Sequence, residues 1–216
     1  MTTHLYQGEV QKEVYEAFRL MKSKDYTGSQ KILLEGLTKA ETEGDVTQQA
    51  LFFSTLGVLS KIQGNFKEAW RYYEKAEKLL PEDPSLKIIM AKLLMDQFAQ
   101  YDTAIKKLKT VLKIAKGSGS YEHQAHAEMA IAYLKKGEKK KATEMLDLSM
   151  VSDFEKVSSA ENLNFEVIEA FLARNLEVER CRHYLEKALA LARVRKEEKP
   201  TQFLTKLLES FEVTLA

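Results

Sequence analysis

The stretch Ala50 to Gly64, ALFFSTLGVLSKIQG, sets the large apolar residues Phe53 and Leu56 beside the small Gly57 at helical offsets. A turn, Gly64-Asn65-Phe66, follows, and then KEAWRYYEKAEKLL, in which Ala69, Tyr73 and Ala76 are spaced by four and three. These intervals predict two helices. The small residues Gly57, Ala69 and Ala76 let the backbones approach, while Phe53, Leu56 and Tyr73 fill the space around them. Pro81 stops the second helix, because proline lacks an amide hydrogen and clashes with the preceding turn. No run of period two outcompetes the helical pattern elsewhere, so an all-α protein is expected.

The turn entering the second helix recurs. Gly64-Asn65-Phe66-Lys67-Glu68-Ala69 lines up with Lys24 to Ser29, Ala99 to Ala104, Gly137 to Ala142 and, more weakly, Leu176 to Cys181. A small residue therefore returns at Ser29, Ala69, Ala104, Ala142 and Cys181. The fourth unit also keeps Ala130 and Tyr133 in its first helix, whereas the first and third have poor first helices. Glu43 to Asp45, Pro81 to Pro84, Gly117 to Ser120 and Val151 to Ser159 read as linkers, with glycine supplying a left-handed helix cap. A last helix, Gln202 to Val213, carries Phe203, Leu204, Leu207, Leu208 and Phe211 on one side.

Residues 50–83 resemble the tetratricopeptide repeat at Phe53, Leu56, Gly57, Ala69, Tyr73, Ala76 and Pro81. They depart from it at Ser60, where the family usually has Tyr. The resemblance implies a right-handed α-solenoid of stacked antiparallel helical hairpins in one domain spanning 1–216. Its repeats would be 9–42, 50–83, 84–118, 122–156 and 161–196, closed by a capping helix at 200–214. It also implies that first helices line a concave groove. The second repeat would present Leu51, Ser54, Thr55, Val58, Lys61 and Ile62. The third would add Ile88, Ile89, Lys92 and Met95, and the fourth Ala127, Glu128, Ile131 and Leu134. Ser54 and Val58 stand where family members that bind acidic chaperone tails carry Lys and Asn. The groove is thus expected to be apolar and to take a hydrophobic peptide or amphipathic helix. If the register slips by one residue, these side chains belong to the core instead.

Composition narrows the class. Nine Gly and three Pro are few for an all-β chain of 216 residues. The lone Cys181 excludes an internal disulfide framework and a cysteine-based zinc site. The first residues, MTTHLYQGEV, have neither the basic start nor the apolar run of a signal peptide, and no stretch is long enough to span a membrane, so a cytoplasmic protein is expected. Residues 106–141 hold ten Lys and three Glu, and residues 142–186 ten acidic against four basic side chains. Such neighbouring blocks suit a solvated surface or a charged docking face better than nucleic-acid binding. Lys106, Lys109, Lys113 and Lys116, with Lys139 and Lys140, form the candidate basic surface.

A search for catalysis gives little. Gly117-Ser118-Gly119-Ser120 lacks the Gly-Lys-Ser/Thr of a phosphate loop. His123 and His126 are three apart with no Glu between them and no third ligand indicated. Cys181 sits at a small-residue position, as a buried thiol would. Acidic pairs such as Glu82-Asp83 and Glu197-Glu198 lie beside proline or in a charge run. The expectation is a non-catalytic protein-binding scaffold or adaptor without cofactor or metal, taking a protein or peptide partner. The alternative is a regulatory module for a partner enzyme, such as a kinase or small GTPase, that uses the basic surface to meet an acidic partner.

Overall fold

The computed structural model describes residues 9–150, 154 and 156–215, which form eleven α-helices and no strand among the described residues. The chain divides into two compact units, Met1–Leu86 and Lys87–Ala216.

In the first unit, α1 (Glu9–Lys22) pairs with α2 (Tyr26–Glu43), and α3 (Val46–Ile62) pairs with α4 (Phe66–Leu79). Asp25 and Asp45 cap α2 and α3, each accepting a 2.9 Å hydrogen bond from an amide of the first turn. Such caps satisfy amides that otherwise lack a partner at a helix start. Ala17, Met21, Leu33, Leu37, Phe52, Leu56 and Leu59 form one buried cluster. Helix α3 begins ahead of the expected repeat boundary at Ala50, which accounts for part of the long spacing between Ser29 and Ala69. Helix α4 ends at Leu79, just before Pro81.

The second unit contains most of α5 (Pro84–Gln97) and all of α6 (Tyr101–Ile114), α7 (Gly119–Lys135) and α8 (Lys139–Ser149). It continues with α9 (Glu166–Leu172), α10 (Val178–Val194) and α11 (Glu198–Leu215). Helix α7 packs against α6, α8 and α9, and α10 packs against α9 and α11. The Gly117 to Ser120 linker is shorter than expected, because Gly119 already opens α7. Residues 151–153 and 155 of the expected fourth linker lie outside the described residues. Phe154 and Val157 in that segment are buried. The last helix starts four residues before Gln202, with Pro200 in its first turn, where a missing amide hydrogen does no harm. Leu204 is buried there and Leu207 and Leu208 are half-buried, but Phe203 is exposed, and the Phe211 side chain lies outside the described residues.

One local geometry recurs through both units. The chain leaves a first helix through a residue in the left-handed region: Lys24 (φ 65°), Gly64 (79°), Ala99 (51°) and Gly137 (77°). The fifth turn uses two such residues, Asn175 and Glu177. The next residue folds back, as when the Asp25 amide donates to Leu20 O at 2.9 Å and the Glu138 amide to Tyr133 O at 2.9 Å. In the first four turns its carbonyl then accepts from the amide of the recurring small residue; in the fifth, Leu176 folds back to Phe171 O and the carbonyl of the next residue, Glu177, accepts. Ser29, Ala69, Ala104, Ala142 and Cys181 make this bond at 3.1, 2.9, 3.0, 3.0 and 2.9 Å. All five are fully buried. The third turn is one residue longer, with Gln100 reaching back to Leu94 O. That insertion displaces the small Ala91 from the spacing that Ala17, Gly57 and Ala130 share, which explains why the third first helix is hard to align. Lys196 and Glu197 repeat the geometry ahead of α11, so α11 starts as one more repeat element, packed on α10.

The small residues set how closely paired helices lie. A Cβ added to Gly57 would fall 2.4 Å from Cε1 of Tyr73, a fully buried ring that has nowhere to move. We expect Ala69→Leu and Gly57→Ala each to destabilise the protein by about 1–3 kcal/mol through overpacking. Thermal denaturation checks this, and an unchanged Tm in both variants would contradict the crossing described for α3 and α4.

Candidate functional site

The side chains expected to line a groove separate into two groups. In the first unit, Leu51, Ser54 and Val58 of α3 are half-buried and Ile62 is exposed, while Thr55 is buried and donates to Leu51 O at 2.8 Å. Two further apolar groups belong to this face. Phe18 follows Ala17 as Val58 follows Gly57, at the same distance from the small residue of the second helix, and Tyr15 stands one turn earlier. Tyr15 is 72% exposed, Phe18 45% and Ile62 49%. These three large apolar side chains are thus left in water on α1 and α3. The sequence reading missed Tyr15 and Phe18, although counting back from Ser29 as from Ala69 would have found them.

In the second unit the same positions carry charge, and the apolar groove expected there is corrected. Ile88, Met95, Ala127, Ile131 and Leu134 are buried, and only Ile89 and Lys92 are half-buried. Helices α5, α7 and α9 instead border an open groove of about 440 Å³ lined by Asp96, Glu128, Ile131, Lys135, Glu166, Glu169 and Ala170. Lys92 Nζ lies 3.1 Å from Glu128 Oε1 and 2.8 Å from Glu166 Oε2, and Lys135 Nζ lies 2.6 Å from Asp96 Oδ1. Burial holds the Glu128 carboxyl above its usual range in spite of Lys92. For Lys92 burial acts the other way, but the two glutamates outweigh it and keep the ammonium above its ordinary value. A pair this covered gives little net stability but strongly penalises loss of one partner.

Behind this groove, Asn164 ties three helices together. Its side-chain amide donates to Glu128 of α7 at 2.8 Å, its side-chain oxygen accepts from the Val167 amide of α9 at 3.3 Å, its backbone amide donates to His123 Nε2 at 2.9 Å, and its carbonyl accepts from Tyr184 of α10 at 3.0 Å. His123 Nδ1 lies 2.9 Å from Ser149 O. A backbone amide only donates and a carbonyl only accepts, so the ring proton is on Nδ1 and the imidazole is neutral. Phe154 and Tyr184 close over the ring at centroid distances of 5.4 and 6.0 Å. Burial depresses the His123 pKa to about 4. Among the described residues, no group of three His, Cys, Asp or Glu is placed to hold a metal ion. Cys181 is buried, and desolvation pushes its thiol up to about 12, far from an activated thiolate.

No protein-family model and no curated protein sequence matches the chain. Solved structures match it in fold. PilW, a widely conserved type IV pilus biogenesis factor, is similar over 98% of this chain and 100% of its own, with a TM-score of 0.61 at 11% identity. BtubC from P. vanneervenii reaches 0.61 at 14% identity, over 96% and 89%. A thermophilic TPR protein of Thermus thermophilus reaches 0.59 at 13% identity, over 92% and 98%. The fold is that of the tetratricopeptide repeat.

Within the tetratricopeptide fold, the fifth helix pair departs most from the pattern. Its first helix, α9, covers only Glu166–Leu172, and the Asn164 hub and the His123 ring hold the chain that leads into it. Of the candidate basic surface, Lys106, Lys109, Lys113, Lys116, Lys139 and Lys140 are all exposed. No helix among the described residues is long and apolar enough to cross a membrane.

The neutral His123 makes stability depend on pH. Its folded pKa is about 4 against 6.5 for the free side chain, so the unfolded chain takes up the proton first as pH falls. The contribution is complete above pH 6.5 and is lost on acidification towards 4, on the order of 2–3 kcal/mol across that range. Glu128, whose carboxyl is raised, works in the opposite sense, so the comparison is between wild type and His123→Gln. We expect the wild-type Tm to fall more steeply than the variant's between pH 7 and pH 5. Parallel profiles would contradict a buried neutral imidazole.

Proposed function

We propose that this chain is a non-catalytic protein-interaction scaffold, and that α1 and α3 take an apolar or amphipathic helical segment of a partner protein. The observation that carries the reading is the exposure of Tyr15, Phe18 and Ile62, with Leu51 and Val58 half-buried on α3 and Val58 at the repeat position of Phe18. Helices α1 and α3 also pack against one another, so the groups lie on neighbouring helices of one unit. An amphipathic helix docks by placing apolar side chains at successive turns into such a surface. Its affinity comes from covering those side chains, and residues outside the apolar patch tune orientation. The groove between α5, α7 and α9 serves this reading as a separate polar face, where Lys92 and Lys135 are already committed to internal carboxylates. The partner reading calls on no cofactor and no reaction, and we place the protein in the cytoplasm.

Burying one apolar side chain of this size contributes about 1.5–3 kcal/mol, so losing two weakens binding by tens- to hundreds-fold. Phe18→Asp combined with Val58→Asp should therefore abolish capture of the proteins that the wild type retains from a source-cell lysate, as quantified by mass spectrometry. Phe18 is already largely in water, while Val58 also packs against the core cluster of this unit, so helical circular dichroism should be retained with a moderate fall in Tm. Undiminished capture by a folded double variant would contradict this face as the binding surface.

A further inference from the structure

We propose that the outward face of α6, together with the first turn of α8, is a second docking surface, and that it takes an acidic segment of a protein. The inference is independent of the apolar face on α1 and α3.

The structure sorts the lysines of residues 106–141 into two sets. Lys135 pairs with Asp96 at 2.6 Å, Lys136 with Asp102 and Glu138 at 2.6 and 2.7 Å, and Lys141 with Glu138 at 2.5 Å. Lys106, Lys109, Lys113, Lys116, Lys139 and Lys140 are exposed and meet no carboxylate within ion-pair distance among the described residues. On α6, Ala104, Ile105, Leu108 and Val111 turn into the core. Lys106, Lys109 and Lys113 therefore share the opposite side, along a rise of about 10 Å. Lys136 holds Asp102 of α6 and Glu138 at the start of α8 on one ammonium, which brings the first turns of the two helices together. Lys139 and Lys140 stand at that end of the stripe.

Folding gains nothing from this arrangement. Like charges three and four residues apart on a helix repel. Lys139 and Lys140 occupy the first turn of α8, which has no acidic residue, and the helix dipole disfavours cations there. A row of carboxylates laid across the face relieves both. The chemistry also selects the class of partner. No large hydrophobic side chain is exposed on α6 or in the first turn of α8, so there is no wedge for a membrane. Neither helix contains an arginine, and no aromatic residue lies between Lys106 and Lys116, so the forks and stacking platforms that nucleic acids use are missing. Lysine point charges at helical spacing suit Asp and Glu side chains.

The test is fluorescence anisotropy of a fluorescein-labelled oligoglutamate peptide titrated with the full chain at low and high salt. Phosphatidylserine vesicles and single-stranded DNA serve as competitors. The triple variant Lys106→Glu, Lys109→Glu, Lys113→Glu is compared with Lys12→Glu, Lys67→Glu, Lys78→Glu, which changes net charge equally on other exposed lysines. We expect peptide binding that weakens with salt, falls about tenfold or more in the α6 variant and survives in the control. Phe18→Asp with Val58→Asp should bind the peptide as the wild type does, which separates this surface from the apolar one. Absence of binding at low salt, equal losses in the two triple variants, or tighter binding of vesicles or DNA through the same lysines would each overturn the proposal. Lys106→Gln, Lys109→Gln, Lys113→Gln removes the charge without reversing it and must show the same direction of change.

Discussion

Everything in this structure depends on how closely the two helices of a pair approach one another where the second helix begins. At that point a side chain longer than one or two atoms would push the backbones apart. Ser29 shows how short the distance is: its hydroxyl donates across the pair to Ala17 O at 3.0 Å. Ala69, Ala104, Ala142 and Cys181 occupy the equivalent sites and are equally inaccessible to water. Ala17 of the first helix thus stands opposite Ser29, and Gly57 lies directly under the ring of Tyr73. The left-handed turn before each site aims the second helix so that this approach repeats. Lys24 and Ala99 hold that conformation without glycine, at a strain of about 1 kcal/mol or more each, which the packed pair sustains.

This constraint is also what made the fold legible. A small residue just past a turn is a local pattern, and it survives in Ser29 and Cys181 where the rest of the repeat signature has faded. The groove was less legible, because which residues of a first helix meet water depends on its neighbours in space. Ala127, Ile131 and Leu134 occupy groove positions by spacing, yet α7 is covered by α6, α8 and α9 and they are buried. The Lys92–Glu128–Glu166 cluster joins residues far apart in sequence with no periodic signature. Asn164 and His123 carry no motif either. Their roles come from a short α9 that leaves polar backbone to be satisfied by side chains, as buried polar groups must be.

Charge and apolar surface are distributed by the same logic. Helix pairs bury one stripe of each helix, and what remains on the first helix differs between the units. Tyr15, Phe18 and Ile62 leave an apolar face in the first unit, while Lys92, Asp96, Lys135 and Glu166 make an ionic one in the second. In α6 the lysines face outward because the inward positions are taken by Ala104, Leu108 and Val111. A repeat scaffold of this kind varies its surfaces without disturbing the crossing that folds it.

The crossing itself is therefore the quantity to measure. Native-state hydrogen exchange, read by NMR at the amides of Ser29, Ala69, Ala104, Ala142 and Cys181, reports it directly, since each donates to the turn carbonyl four residues earlier and each is buried. The account predicts strong protection at all five, against fast exchange at the solvated first-turn amides of Lys67, Asp102 and Lys140. Exchange at any of the five as fast as at those first-turn amides would contradict a crossing that recurs in every pair.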